Sequence, residues 1–354
     1  MIGNRLVTSQ ASHVASRELS ARLERREWRV TAASSRTNRV LRLADMVGTT
    51  WSRRADYDVA QIDVFSGSAF AWAEAVCWTL RRLRKPYVLA LRGGNLPEFA
   101  RRRPGRVRAL LESASVVISP SEYLRREMRA YRPDIRLIPN GIDLSDYEPA
   151  VRHAPQPRLV WLRAFHDIYN PLLAPSVLEK VRSRFPRAEL TMIGPDKNDG
   201  SLERTRLLAS RLSLAPAVSF VGQVPKSQVG GLLGRADIFL NTANVDNTPV
   251  TVIEALACGL CVVSTNVGGI PDLLTHERNA LLVPPDDAQA MADAVARILV
   301  EPGLAARLSS EARRHAASFD WPGILDQWEA SLADANAGHP SLADRVTVPG
   351  ASRS

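Results

Sequence analysis

Three cysteines in 354 residues, an odd number, provide no disulfide framework. No uninterrupted apolar run reaches the ~18 residues that a membrane span requires, and the N-terminus lacks the charged-then-apolar pattern of a secretory leader, so the default expectation is a cytoplasmic protein. The six histidines are scattered without metal-ligand spacing, which predicts no metal site and no resident cofactor. Lysine is scarce as well, at four of 46 basic residues. Hydrophobic residues make up 45% of the chain, enough for buried cores, and the length suits two domains of ordinary size.

The net charge of +9 is unevenly placed. Residues 1–150 hold 26 Lys and Arg against 16 Asp and Glu; the remainder holds 20 against 21. The basic clusters are Arg81-Arg82 with Arg84-Lys85, and Arg101-Arg102-Arg103 with Arg106 and Arg108. Such a half suits an anionic acceptor or anionic lipid headgroups, against the plainer reading of a solvated arginine-rich surface. No aromatic residues interleave with the clusters and no helix-turn-helix or RNA-binding signature accompanies them, so nucleic acid is not the expected partner.

Strand and helix patterns alternate along the chain. A tail of a first strand at Met1–Asn4 is followed by a polar loop around Thr8 to Ser12 and a helix through Val14, Leu19 and Leu23. Strands follow at WRVTAAS (from Trp28), QIDVFSG (from Gln61), PYVLALRGG, VVISPS and IRLIPNGID. The Pro-rich EPAVRHAPQPRL reads as a linker. A second alternation starts with the strands RLVWLRAF, AELTMIGPD and VSFVGQV. This pattern means parallel βαβ units and doubly wound, Rossmann-like sheets. The expected division is residues 1–150, with a truncated first strand; 151–318; a last helix at 319–335; and a disordered tail at 336–354.

The densest stretch runs from Ile238 to Leu274, IFLNTANVDNTPVTVIEALACGLCVVSTNVGGIPDLL. It reads as strand, polar loop, helix, buried strand and Gly-rich turn. Helix N-terminal N–H groups suit a phosphate, and here the helix starts at Thr248-Pro249. Glu254, one turn further on, is placed to accept hydroxyl hydrogen bonds from a ribose. Asp246 lies eight positions earlier, in the loop facing whatever that phosphate carries.

The acidic pair at this spacing, with CGLCVV and NVGGIPDLL behind it, resembles the Glu-x7-Glu region of the retaining family-4 glycosyltransferases. The resemblance covers roughly residues 60 to 330. It implies the GT-B fold: two doubly wound Rossmann-like domains facing a cleft, with a C-terminal helix crossing back to the first domain. It also implies a retaining, metal-independent transfer of a sugar from a nucleotide-diphosphate donor to an acceptor hydroxyl on a glycan, a lipid-linked sugar or a small glycoside. The charge of the basic half adds the expectation of an anionic or membrane-associated acceptor and of peripheral contact with the inner membrane face. A non-catalytic donor-binding scaffold of the same fold and a GT-B nucleotide-sugar epimerase stay open as alternatives.

The resemblance also assigns residues. Glu254 would hold ribose. Arg163 and the segment Asn247, Thr248, Pro249 and Val250 would hold diphosphate, and Asp246 would orient the sugar. The Gly222-Gln223-Val224 turn would meet the base. Two positions depart from the family. Ile168 stands where a lysine is usual, leaving Lys197, or Tyr169 and Asn170, as substitutes. Arg92 stands where a histidine is common; arginine is no base, but it can bind a hydroxyl or a phosphate, and the Gly93-Gly94-Asn95 turn behind it would contact donor or acceptor. His166 lies near Arg163. Cys258-Gly-Leu-Cys261 has redox spacing but follows a helix instead of opening one, and Asp56-Tyr57-Asp58 precedes a strand instead of ending one. Both read as structural.

Overall fold

The structure, a computed structural model, describes residues 5–9, 14–33 and 39–337. The chain forms two compact units, residues 1–140 with 322 onward, and Gly141–Trp321.

In the first unit β1 (Arg5–Ser9), α1 (Val14–Arg25), β2 (Arg29–Ala33), α2 (Arg39–Ser52), β3 (Val59–Val64), α3 (Ser68–Arg82) and β4 (Tyr87–Leu91) alternate. α4 (Leu96–Arg102), α5 (Pro104–Glu112), β5 (Val116–Ser119), α6 (Glu122–Met128) and the two-residue β6 (Arg136–Leu137) complete it. The sheet is parallel, in the order β2-β1-β3-β4-β5-β6. Its central strands are fully buried. Ile62, Val64, Leu89 and Leu91 pack there against Phe70 and Leu80 of α3 and Leu110 and Leu111 of α5.

The first strand differs from the sequence expectation. It is Arg5–Ser9, paired on both sides, where a strand tail and the start of a loop are predicted. Only Leu6 and Val7 are apolar in it, so its hydroxyl residues disguise a short strand as a loop. Met1–Asn4 and the predicted tail beyond residue 337 lie outside the described residues.

The second unit holds β7 (Arg158–Leu162), α7 (Leu173–Arg184), β8 (Glu189–Ile193), α8 (Ser201–Arg211), β9 (Val218–Gly222), α9 (Lys226–Gly234) and β10 (Ile238–Asn241). It continues through α10 (Val250–Ala257), β11 (Cys261–Thr265), α11 (Ile270–Leu273), β12 (Leu281–Val283), α12 (Ala288–Val300) and α13 (Leu304–Ala316). Its parallel sheet runs β12-β11-β10-β7-β8-β9, so strand order reverses between β7 and β10. In such sheets ligands bind beyond the carboxyl ends of the strands at that reversal. Residues just after β7 and β10 are therefore the ones to inspect.

α14 (Trp321–Ala337) leaves the second unit at its first residue and lies on the first. Glu329 accepts from the Trp28 indole at 2.9 Å, and Asp334 pairs with Arg136 at 2.7 Å. The units divide near residue 140, ten residues before the predicted boundary. Residues 141–150 belong with the second unit because Tyr147 is buried in its core and Ala150 N–H donates to the Cys258 carbonyl at 3.3 Å.

Candidate active site

Glu254 sits on the second turn of α10 and is 3% exposed. Its Oε1 accepts the Tyr147 hydroxyl at 3.0 Å and pairs with the Lys226 ammonium. Tyr147 is itself buried; desolvation first, and then the negative charge of Glu254, push its phenol far above the ordinary value, so it stays a neutral donor. Lys226 opens α9. Gly230, one turn on, lets this helix close on the Tyr147 segment, because a Cβ there would meet the Asp146 carbonyl oxygen at 2.1 Å. One close helix contact thus brings both donors to one carboxylate.

Arg163 follows β7 directly, with its N–H bonded to the Ile193 carbonyl at 3.0 Å. Its Nη2 lies 2.6 Å from Oδ2 of Asp246, in a pair whose side chains are only 16% and 8% exposed. The guanidinium lies over the Tyr169 ring, 4.2 Å from its centroid. Arg163 Nε is buried without a hydrogen-bond partner among the described residues, so part of the guanidinium fork is unspent. Asp246 also accepts the Asn247 N–H, at 2.9 Å. Its carboxyl is pushed above the ordinary range by burial, with Arg163 pulling in the opposite direction.

The 242–249 loop is pinned from two sides. Thr242 takes the Trp161 indole N–H at 2.8 Å and donates to the Tyr169 carbonyl at 2.7 Å, while the Asn244 N–H reaches the Ile168 carbonyl at 2.9 Å. Below it, Gly268 and Gly269 come so close that a Cβ would stand 2.0 Å from the Asp246 oxygen or 2.2 Å from that of Asn247. This contact is the physical reason for the Gly-Gly turn, and the Gly269 N–H adds a 3.1 Å bond to Asp246 O. The loop delivers α10 with Pro249 as its N-cap and no side-chain cap. Thr251 Oγ1, in the first turn, is buried and has no partner among the described residues. Unspent donors at a helix start suit an anion.

Asp246, Arg163, Asn247, Thr248, Pro249, Val250 and Glu254 therefore gather on the loops after β7 and β10 and the helix they lead into. Gly222 ends β9 at φ 77° and its carbonyl takes the Gly194 N–H at 2.8 Å; Gln223 is exposed and Val224 packs into the core beneath. Lys197 is exposed on the 194–200 turn, its N–H bonded to the Phe165 carbonyl at 3.1 Å. His166 caps the turn of residues 167–169 by accepting the Ile168 N–H at 3.1 Å. Ile168 itself, in the lysine position, is 37% exposed.

Arg92 follows β4 in the first unit, buried beside Gly93, whose φ is 82°. Its Nε donates to Asp63 Oδ1 and its Nη1 to Asn140 Oδ1, both at 3.0 Å, and Gln61 Nε2 donates to the same Asp63 oxygen at 3.0 Å. Two of the three guanidinium nitrogens are thus engaged in that cluster. Gly94 begins the turn into α4. Cys258 and Cys261 are buried, and desolvation pushes both thiols up to about 12, which fits a structural reading. Among the described residues no three His, Cys, Asp or Glu side chains group as a metal site.

Tyr147, Lys226 and Thr251 escape sequence reasoning. Only Lys226 leaves a trace, as one of four lysines, opening a helix straight after a glycine turn.

Two family models match the chain, Glycosyltransferase Family 4 over residues 11–146 and Glycosyl transferases group 1 over 156–315, between them most of its length. D-inositol 3-phosphate glycosyltransferase of Rhodococcus jostii is 28% identical over 288 residues, a match covering 76% of this chain and 64% of that protein. The protein of the same name from Mycolicibacterium smegmatis is 25% identical, over 82% of this chain and 71% of its own. The chain thus spans about two-thirds of these relatives' length. Among solved structures, HepE of Anabaena in complex with UDP superposes with a TM-score of 0.75 at 17% identity, covering 93% of this chain and 99% of its own. Sucrose-phosphate synthase of Thermosynechococcus elongatus gives 0.78 at 20%, over 95% and 100%. These structural likenesses establish the architecture, two parallel-sheet units of GT-B type. By the two sequence models together, the chain belongs to the family-4 glycosyltransferases.

Proposed function

We propose that the chain transfers a sugar, with retention of configuration and without a metal ion, from a nucleotide-diphosphate donor to an acceptor hydroxyl. The observation that carries this reading is the buried Glu254 carboxylate one turn behind an uncapped helix start, in the same unit as the Arg163–Asp246 pair. A carboxylate so placed suits the ribose hydroxyls while the N–H groups of the first turn take the diphosphate. HepE is solved with UDP and with UDP-glucose, and the relatives are named glycosyltransferases, which supports a nucleotide-sugar donor.

In this reading Arg163 turns its unspent Nε toward a phosphate oxygen and offsets the charge that grows as the anomeric carbon–oxygen bond breaks. Asp246, already oriented by Arg163 and by its own loop, accepts a sugar hydroxyl. The acceptor oxygen bonds to the anomeric carbon on the face the diphosphate leaves, and its proton passes to a diphosphate oxygen. No basic side chain is required for that step, which accommodates an arginine at position 92. Arg92 then binds a hydroxyl or a phosphate oxygen instead of taking a proton. The acceptor is a hydroxyl compound, anionic or membrane-associated.

The test is nucleotide-diphosphate release by the full chain from UDP-, GDP- and ADP-sugars, with sugar alcohols and lipid-linked sugars as acceptors. Release is expected from one nucleotide class, and Arg163→Ala should slow it about 10²–10³-fold, the cost of losing a preorganised transition-state donor. A well-folded protein that binds a donor and never releases the diphosphate would instead be the scaffold alternative.

A further inference from the structure

The two groups that hold Glu254 use only half of it. Tyr147 and Lys226 both reach Oε1, so that oxygen carries two hydrogen bonds. Oε2 has no partner among the described residues and is not sealed from solvent. A carboxylate oxygen has two lone-pair directions, so Oε1 is filled and Glu254 keeps one oxygen to offer. A ribose presents two neighbouring hydroxyls. One of them can donate to Oε2; the other has to find its partner outside the carboxylate.

Lys226 is in position to be that partner. It is the first residue of α9, with only Pro225 between it and the Gly222-Gln223-Val224 turn. Its ammonium pairs with Oε1 and lies 5.9 Å from the centroid of the Tyr147 ring. An ammonium has three N–H donors, and among the described residues only the one on Glu254 is taken. In a nucleotide the ribose joins the base to the diphosphate. Lys226 and Glu254 likewise link the turn expected to meet the base with the α10 start expected to take the diphosphate.

Stability does not account for a lysine here. The first turn of α9 has no acidic residue and no side-chain cap, so the cation stands at the positive end of the helix dipole. Oε1 already has the buried Tyr147 hydroxyl, and a pair whose ammonium side chain is 39% exposed is screened by solvent. An ammonium that faces a ligand explains the placement.

We propose that Lys226 is a specificity-determining residue that reads the ribose. Its ammonium donates to one ribose hydroxyl while the neighbouring hydroxyl donates to Oε2 of Glu254. The inference rests on the donor reading above and narrows it: the donor is a ribonucleotide with both ribose hydroxyls free. A site built to bond a hydroxyl rejects the analogue that lacks it, because its own polar group is then left unpaired.

The experiment is calorimetric titration of the full chain with UDP, GDP and ADP, then with the 2′-deoxy and 3′-deoxy forms of the diphosphate that binds. It compares the wild type, Lys226→Met and Lys226→Arg, each checked for cooperative unfolding. The wild type should bind each deoxy form about tenfold or more weakly than the ribo form, the worth of a hydrogen bond to a charged group. In Lys226→Met one of those two penalties should vanish: the ribo form weakens about tenfold, one deoxy form keeps its wild-type affinity, and the other penalty stays. Lys226→Arg, which keeps charged donors, should restore most of the lost preference. Equal weakening of the ribo and both deoxy forms in Lys226→Met overturns the inference, since the ammonium would then serve only the charge of the diphosphate. Tighter binding by that variant also overturns it, because Lys226 would then occupy the place of the ribose. An unchanged Lys226→Met profile overturns the inference alone, whereas a folded wild type that binds none of the three diphosphates overturns the donor reading and the inference with it.

Discussion

A carboxylate buried to 3% in a folded protein needs partners, and Glu254 has two of unequal kind. Tyr147 is buried and rigidly packed, whereas the Lys226 side chain is 39% exposed and reaches in from a helix start. Removing the phenol leaves a buried oxygen short of a donor, which typically costs about 1–3 kcal/mol. Removing an ammonium that is 39% exposed and screened by solvent costs about 0–1 kcal/mol. Tyr147→Phe should therefore destabilise the chain more than Lys226→Met in urea unfolding; the reverse order would mean that Lys226 is the group that satisfies Glu254. At this scale the sequence is half legible. Glu254, Asp246 and Arg163 stand out through spacing and resemblance, because a charged residue in an apolar helix or at a strand end is conspicuous. Tyr147 reads as ordinary core and lies 107 residues from its partner. Only folding brings such a pair together.

Among the elements, the run from β10 to α11 is readable almost residue by residue, since each boundary has its own chemistry: a proline before α10, a glycine after it, a β-branched strand, and a Gly-Gly turn closing on the Asp246 loop. α2 leaves no comparable mark. Apolar residues face both ways on it, Met46 and Val47 into the core and Leu41 and Trp51 outward, which blurs the stripe. β1 is masked by its hydroxyl residues. The packing of α13 on α11 can be tested through pH. His315 of α13 points Nε2 at the Leu273 carbonyl, 2.9 Å away, and meets the Phe319 ring edge-on with centroids 5.2 Å apart. Burial, the largest effect, lowers its pKa from the usual 6.5, so the folded chain holds it neutral. The unfolded chain then binds more protons just below that value. The His315 contribution is fully present above about pH 6.5 and is lost as pH falls through the lower folded pKa. The unfolding midpoint should decline over that window, and His315→Gln, which keeps an N–H donor and does not titrate, should flatten the decline. An unchanged pH profile in the variant would show that His315 titrates no differently in the two states.

For the whole molecule, two parallel sheets with different strand orders follow from the strand–helix alternation, which the sequence displays clearly. The division near residue 140 does not. Residues 141–150 read only as a loop leading into a linker, and Cys258, the packing partner that ties them to the second unit, lies far along the chain. Charge divides along the same line: the basic excess lies in the first unit, and the candidate donor site lies wholly in the near-neutral second one. The central claim concerns that second unit, and calorimetric titration with UDP-, GDP- and ADP-sugars, in the absence of metal, tests it most directly. Since a hydrogen bond to a charged group contributes about 1.5–3 kcal/mol, Glu254→Ala should weaken binding of the preferred nucleotide class at least about tenfold while the protein stays folded. Wild-type affinity in that variant, or no binding of any nucleotide sugar by the folded wild type, would contradict the account.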